Sequence, residues 1–225
     1  EKSFYWKGRY HSNFKSRDTL VTELNALAKF KPVVKNSAKN SKIVVLGNLH
    51  PAVQLSVINQ LETEESYIIL DTMNFWMDTA LEELMFAISK TDLIVINDEE
   101  AEQLTSKKSI KDAAAKILRM GPKTVIIKKG EYGSEIFDKK EAFHIPAYKV
   151  ENVIDPTGAG DCFAGGLAGY LSTQQKIDFN SIKNSMIYGT IVASYCVENF
   201  GVKGVKNLEL HQIQKRLEIF KPYLD

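Results

Sequence analysis

Apolar residues along this chain gather into short blocks at regular intervals. Lys42–Leu46 (KIVVL), Tyr67–Leu70 (YIIL), Leu93–Ile96 (LIVI) and Lys123–Lys128 (KTVIIK) are rich in β-branched residues. Blocks of this length, bounded by polar or glycine-containing segments, predict strands buried on both faces. The stretches between them carry a helical period. Pro51 opens one helix over Ala52–Leu61, Leu81–Ser89 is a second, and two more are expected over 98–105 and 109–120. Ser134–Phe137 and Ala142–Ile145 predict a hairpin turned at Asp138-Lys139-Lys140. Helices are then expected over Phe163–Leu171, Ile182–Asn199 and Glu209–Phe220, with a loop at Gly201–Gly204 before the last.

Strands alternating with helices predict an α/β fold with a mostly parallel sheet covered on both faces. Ligands in such sheets sit at the carboxyl ends of the strands. Those ends read GNLHP, DTMN, NDEE and KKGEYG, all polar or glycine-rich and all expected on one rim. Residues 1–30 differ. Ser3–Tyr10 alternates aromatic and polar residues as a half-buried strand does, and Asp18–Leu27 fits a second strand or a short helix equally. This segment is either a surface ribbon or a β lid that carries Arg9, Tyr10 and His11 to a ligand. Residues 31–225 show no internal repeat or linker and are expected to form one core.

The segment Asp155-Pro156-Thr157-Gly158-Ala159-Gly160-Asp161 adds chemistry. Small residues at the start of a helix leave backbone N–H groups bare, and such an end attracts phosphate or a developing anion. Asp161 in the first turn is either an acid placed favourably against the helix dipole or a base that takes a proton from an attacking hydroxyl. Asn97 and Glu100 are three apart at a helix start, as a capping pair is, and equally as ligands of phosphate and metal-bound water would be. Lys128 fits the neutralisation of phosphate charge, while Gly130 and Gly133 fit either a turn or room for a nucleotide. His50 is as well suited to a structural as to a substrate-side role.

Composition narrows the classes. Of 225 residues, 44% are hydrophobic and 25% charged, and the formal net charge is +1, so no strong field favours nucleic acid or a membrane surface. No apolar run reaches the roughly 20 residues of a membrane helix. Cys162 and Cys196 lie in apolar helical contexts, as reduced cysteines of a cytoplasmic protein do. No histidine spacing suggests a metal centre, and the G-x-G-x-x-G of a dinucleotide-binding oxidoreductase is absent.

DPTGAGDCFAGGL at 155–167, NDEEAEQL at 97–104, KKGEYG at 128–133 and YCVENFGVKGV at 195–205 together resemble the ribokinase-like (PfkB) family of carbohydrate and nucleoside kinases, in order and spacing over about 42–225. The resemblance implies a three-layer ribokinase-like fold with a small β lid. It implies ATP and Mg²⁺ as cofactors and transfer of phosphate to a hydroxyl, usually primary, of a sugar or nucleoside. Asp161 would be the general base, and Gly158, Ala159, Gly160 and Asp161 the anion hole. Asn97 and Glu100 would serve phosphates and Mg²⁺, Glu100 through water, with Lys128, Gly130 and Gly133 along the triphosphate. Adenine would lie between the 198–204 loop, with Asn199 and Gly201, and the helix carrying Thr190. Asp155 and Thr157 match part of a monovalent-cation (K⁺) site.

Arg9, His11, Asn48, His50 and Asn74, with Tyr10 and Asp71, are the substrate-side candidates. The family also admits a homodimer through the lid. A non-catalytic nucleotide- or sugar-binding regulator on the same fold is the competing reading. The family's N-terminal βαβ region, with its Gly-Gly motif and early aspartate, has no counterpart in these residues. A polypeptide truly starting at Glu1 would therefore be expected to expose an apolar strand edge and to be poorly stable and inactive.

Overall fold

The protein is described from a computed structural model, which covers residues 2–11, 17–62 and 65–221. Strands β1 (Tyr5–Tyr10) and β2 (Arg17–Glu23) form an antiparallel ribbon. A 3₁₀ turn over Asn25–Lys29 follows, so the 18–27 segment is strand first and helical turn after. The indole of Trp6 lies over Gly8, where a side chain would collide with it, and the ladder is irregular between Lys7 and Gly8.

The main sheet has six strands in the order β3 (Ile43–Leu46), β4 (Tyr67–Asp71), β5 (Leu93–Asn97), β6 (Thr124–Lys128), β7 (Ser134–Phe137) and β8 (Ala142–Ile145). The first four are mutually parallel, and the hairpin β7–β8 adds antiparallel. Parallel order places the carboxyl ends of β3–β6 on one rim, as the block pattern predicts.

Alternation along each strand divides the core in two. Ile68, Leu70, Ile94, Ile96, Val125 and Ile127 face one layer. That layer contains α1 (Pro51–Ile58), α2 (Asn74–Thr79), α3 (Leu81–Ser89), α4 (Asp98–Thr105) and α5 (Ile110–Leu118). Ile69, Leu93, Val95, Ile126, Ile136 and Ile145 face the other, built from α6 (Ala159–Ser172), α7 (Phe179–Val197) and α8 (Leu210–Phe220). The result is the three-layer α/β architecture expected from the sequence.

α2 is absent from the sequence reading. It is a six-residue helix whose N-cap, Met73, makes no side-chain cap, so no start signal marks it. The small residues of α6 have two uses. Gly166 meets α7, where an added Cβ would stand 2.9 Å from Tyr188 O, and Gly189 of α7 meets Phe163 O in return, at 2.7 Å. The glycines therefore let two helices cross closely, and only those at the start of α6 face the rim.

Candidate functional site

β4, β5 and β6 end side by side in Asp71, Asn97 and Lys128. Each is the last residue of an apolar strand, so burial of the strand carries it to the edge of the core. Asn97 and Lys128 are register partners. α6 arrives on the same rim from the opposite layer. Its N-cap, Gly158, has φ 84°, a left-handed conformation that glycine takes without strain. It has no side chain with which to satisfy the N–H groups of the first turn. At Gly160 an added Cβ would come 2.9 Å from Lys128 Nζ, so the ammonium lies against the bare helix start. Ala159 and the exposed Asp161 share that turn.

Lys128 Nζ also faces Asp71, whose Oδ1 is 3.6 Å away. Asp71 is 8% exposed. Burial pushes its carboxyl above the ordinary aspartate value; Lys128 pulls it back, and the charge of Asp161 adds to the rise. Gln54, on α1, donates from Nε2 to the carbonyls of Gly47 and Asp71, at 2.9 and 3.0 Å, and so ties together the ends of β3 and β4. The sequence reading placed Asp71 on the substrate side and missed its pairing with Lys128.

The α4 start is closed. Asn97 Oδ1 accepts from the Glu100 N–H at 2.7 Å, and Glu100 Oε2 accepts from the Asn97 N–H at 2.9 Å. This is a complete capping box, with Glu100 buried. The structure therefore shows the capping reading of this pair.

Thr157 is held from three sides. Its N–H donates to Asp155 Oδ1 at 2.9 Å, its carbonyl accepts from the Cys196 thiol at 3.6 Å, and its hydroxyl lies 3.0 Å from that of Tyr10. The tip of β1 thus touches the loop before α6. Cys162, beside Cys196 and Asp161, is pushed up to about 12, first by burial and then by Cys196.

Other expected residues are placed differently. β1 alternates exposed and half-buried positions, so Arg9 is exposed on the face opposite Tyr10. His11 is exposed and pairs with Asp18 at 3.3 Å. Asn48 Oδ1 accepts from Trp76 Nε1 at 2.8 Å. His50 caps α1, with Nδ1 accepting from the Ala52 N–H at 3.1 Å, and Asn74 donates to Gln103. His11, Asn48, His50 and Asn74 are thus engaged within the protein. Asn48 and His50 also line a cavity of about 460 Å³, with Leu24, Phe30, Met73 and Trp76, between the foot of the ribbon and the β3 and β4 ends.

Gly133 is a structural glycine: φ is 82°, and a side chain there would collide with the Ile145 carbonyl. Gly130 opens the turn after β6 and faces open space. Thr190 is half-buried in α7. Asn199 Nδ2 donates to Tyr195 O at 3.4 Å, and Gly201 begins a 3₁₀ turn flanked by the exposed Phe200 and Val202.

Among the described residues no three His, Cys, Asp or Glu form a cluster for a metal, and no helix is long and apolar enough to cross a membrane.

The rim thus brings together a helix start without a side-chain cap, a lysine laid against it and an exposed carboxylate in its first turn. The model for pfkB family carbohydrate kinases matches residues 8–207, and this chain belongs to that family. It is similar to a ribokinase of Staphylococcus aureus, 36% identical over 121 residues, covering 52% of this chain and 38% of that protein. It is also similar to a cytidine kinase of Thermococcus kodakarensis, 31% identical over 136 residues, covering 58% of this chain and 48% of that one. The chain thus spans less than half the length of these curated relatives.

Among solved structures, a Burkholderia thailandensis nucleoside kinase in complex with inosine aligns over 99% of this chain and 70% of its own. Its TM-score is 0.74 at 20% identity. A putative ribokinase II of E. coli, in complex with ATP and Mg²⁺, aligns over 91% and 68%, with a TM-score of 0.72 at 22% identity. At these identities the two share the ribokinase-like fold with this chain.

Proposed function

We propose that the protein containing this chain is an ATP- and Mg²⁺-dependent kinase that phosphorylates a hydroxyl, of the primary kind, on a sugar or nucleoside. The observation that carries the reading is the bare start of α6: a glycine N-cap without a side chain, Lys128 Nζ against Gly160, and Asp161 exposed in the first turn. Phosphoryl transfer asks a protein for positioning, charge neutralisation and a base. The N–H groups of Gly158, Gly160 and Asp161 face the charge on the transferred group, while Ala159, whose N–H donates to Pro156 O at 3.2 Å, keeps the turn small. Lys128 neutralises part of that charge. Asp161 takes the proton from the acceptor hydroxyl as its oxygen attacks phosphorus.

Gly130, open to solvent after β6, lies along the triphosphate. Asn97 stands between Asp71 and Lys128 on the phosphate side. Thr190, Asn199 and Gly201 border the base, for which the exposed Phe200 and Val202 offer apolar surface. Mg²⁺ supplies further charge neutralisation when bound. With no cluster of three acids or histidines among the described residues, it would keep most of its waters, one of them on Glu100. Where K⁺ is used, Asp155 and Thr157, whose loop is held by hydrogen bonds within the protein, would border it.

The test is Asp161→Asn in the full-length protein, assayed for ATP consumption over a panel of sugars and nucleosides. Turnover on the best acceptor should fall by at least about 10²-fold with nucleotide affinity kept. Turnover near the wild-type value would remove Asp161 as the base. A wild-type protein that consumes no ATP with any acceptor would favour a regulator.

A further inference from the structure

Asp71 and Lys128 stand at the ends of β4 and β6, with the end of β5 between them. A lysine ammonium on a flexible four-carbon stem does not stay in one place unaided. The next residue, Lys129, is drawn away to Glu135 on β7. Lys128 instead points across the rim, and the carboxylate that meets it there is Asp71, at 3.6 Å. The same ammonium lies 2.9 Å from where a Gly160 side chain would begin. Asp71 is itself fixed: it is 8% exposed, and its carbonyl is held by the buried Gln54.

We propose that Asp71 is a positioning residue whose carboxylate holds the Lys128 ammonium against the bare start of α6, where it meets the terminal phosphoryl group. The proposal rests on the kinase reading above. It explains why a carboxylate sits in a place that burial makes unfavourable: an ion pair so enclosed is a poor source of stability, while a fixed cation at the phosphate is worth much in turnover. It also explains why Gly160 has no side chain, since one would displace the ammonium.

The experiment is a double-mutant cycle in the full-length protein with Asp71→Asn, Lys128→Met and the two combined. One readout is turnover, with KM for the best acceptor. A second, which needs no acceptor, is the calorimetric affinity ratio of a non-hydrolysable ATP analogue to ADP. Lys128→Met should lower turnover about 10²-fold. Asp71→Asn should lower it about tenfold, with acceptor KM changed less than about twofold. The double variant should be no worse than Lys128→Met alone, because Asp71 acts through Lys128.

The affinity ratio should follow the same non-additive pattern. Asp71→Ala, run in the same cycle, must repeat the result, and melting curves confirm that each variant folds. Wild-type values in Asp71→Asn, or losses that multiply in the double variant, would overturn the proposal. Absence of any turnover that Asp161→Asn removes would sink the kinase reading instead, and the affinity ratio would still decide the role of Asp71.

Discussion

α4 and α6 begin on the same rim and meet its contents in opposite ways. At α4 the first-turn donors are satisfied from within: Asn97 and Glu100 exchange hydrogen bonds, and Glu100 is buried. At α6 the N-cap is a glycine in the left-handed region, with no side chain to offer the N–H groups. A capping box contributes stability by satisfying first-turn donors from within the helix. A bare start forgoes that contribution and keeps its donors for an anion. The same helix-end physics thus closes one helix start with side chains and leaves the other without them. What separates them is side-chain chemistry at two or three positions.

The sharpest way to break the comparison is to fill the open end. Gly160→Ala puts a methyl group 2.9 Å from Lys128 Nζ. The ammonium is the end of a flexible side chain and can swing away, so the fold should survive. Alanine in place of a helical glycine adds up to about 1 kcal/mol of helix stability. We expect the melting temperature to hold or rise while turnover falls about 10²-fold, through loss of the cation from the anion hole. A variant that melts higher and turns over normally would show that the closeness of Lys128 to Gly160 has no catalytic use.

Much of this contrast is visible in the sequence. The rim follows from four β-branched blocks, because only buried parallel strands suit them, and parallel strands end together. The DPTGAGD segment reads as a helix start because the apolar run from Phe163 to Leu171 follows its glycines. Asp71 with Lys128 was not legible as a pair. The two belong to strands separated by β5, and only the sheet order sets them face to face. Arg9 and Tyr10 show the complementary difficulty: alternation says that they point to opposite faces, but only the three-dimensional contact between Tyr10 and Thr157 says which face is inward. For Asn97 and Glu100 the sequence permits both cap and ligand, and the hydrogen bonds establish the cap.

The closed end gives a smaller, oppositely weighted effect. Asn97→Ala removes the cap acceptor and should cost about 0.5–2 kcal/mol. For a chain of this size each kcal/mol corresponds to about 2–4 °C in Tm. If Asn97 only caps, turnover below the transition should fall no more than about tenfold, well short of the Gly160→Ala loss. A loss of about 10²-fold or more, with the Tm change as expected, would mean that the side chain reaches the phosphates as well as the helix.

The smallest effect tests whether the open half of the rim carries a stability cost. Burial raises the Asp71 carboxyl above 3.8, so the folded state holds its proton more tightly than the unfolded chain does. The stability linked to that proton is complete below 3.8 and is lost as pH rises through the folded value, above which the buried carboxylate is unfavourable. Asp71→Asn removes that charge. Its Tm at pH 7 should therefore exceed wild type by about 2–4 °C for each kcal/mol recovered, and the difference should shrink as pH falls toward 3.8. Calorimetric scans of both proteins across that range read the sign directly. A variant less stable than wild type at pH 7 would show that the Lys128 pair outweighs burial, and would place Asp71 with the stabilising contacts at α4. Gain of stability with loss of turnover would instead place it with α6, as a group kept for what it positions.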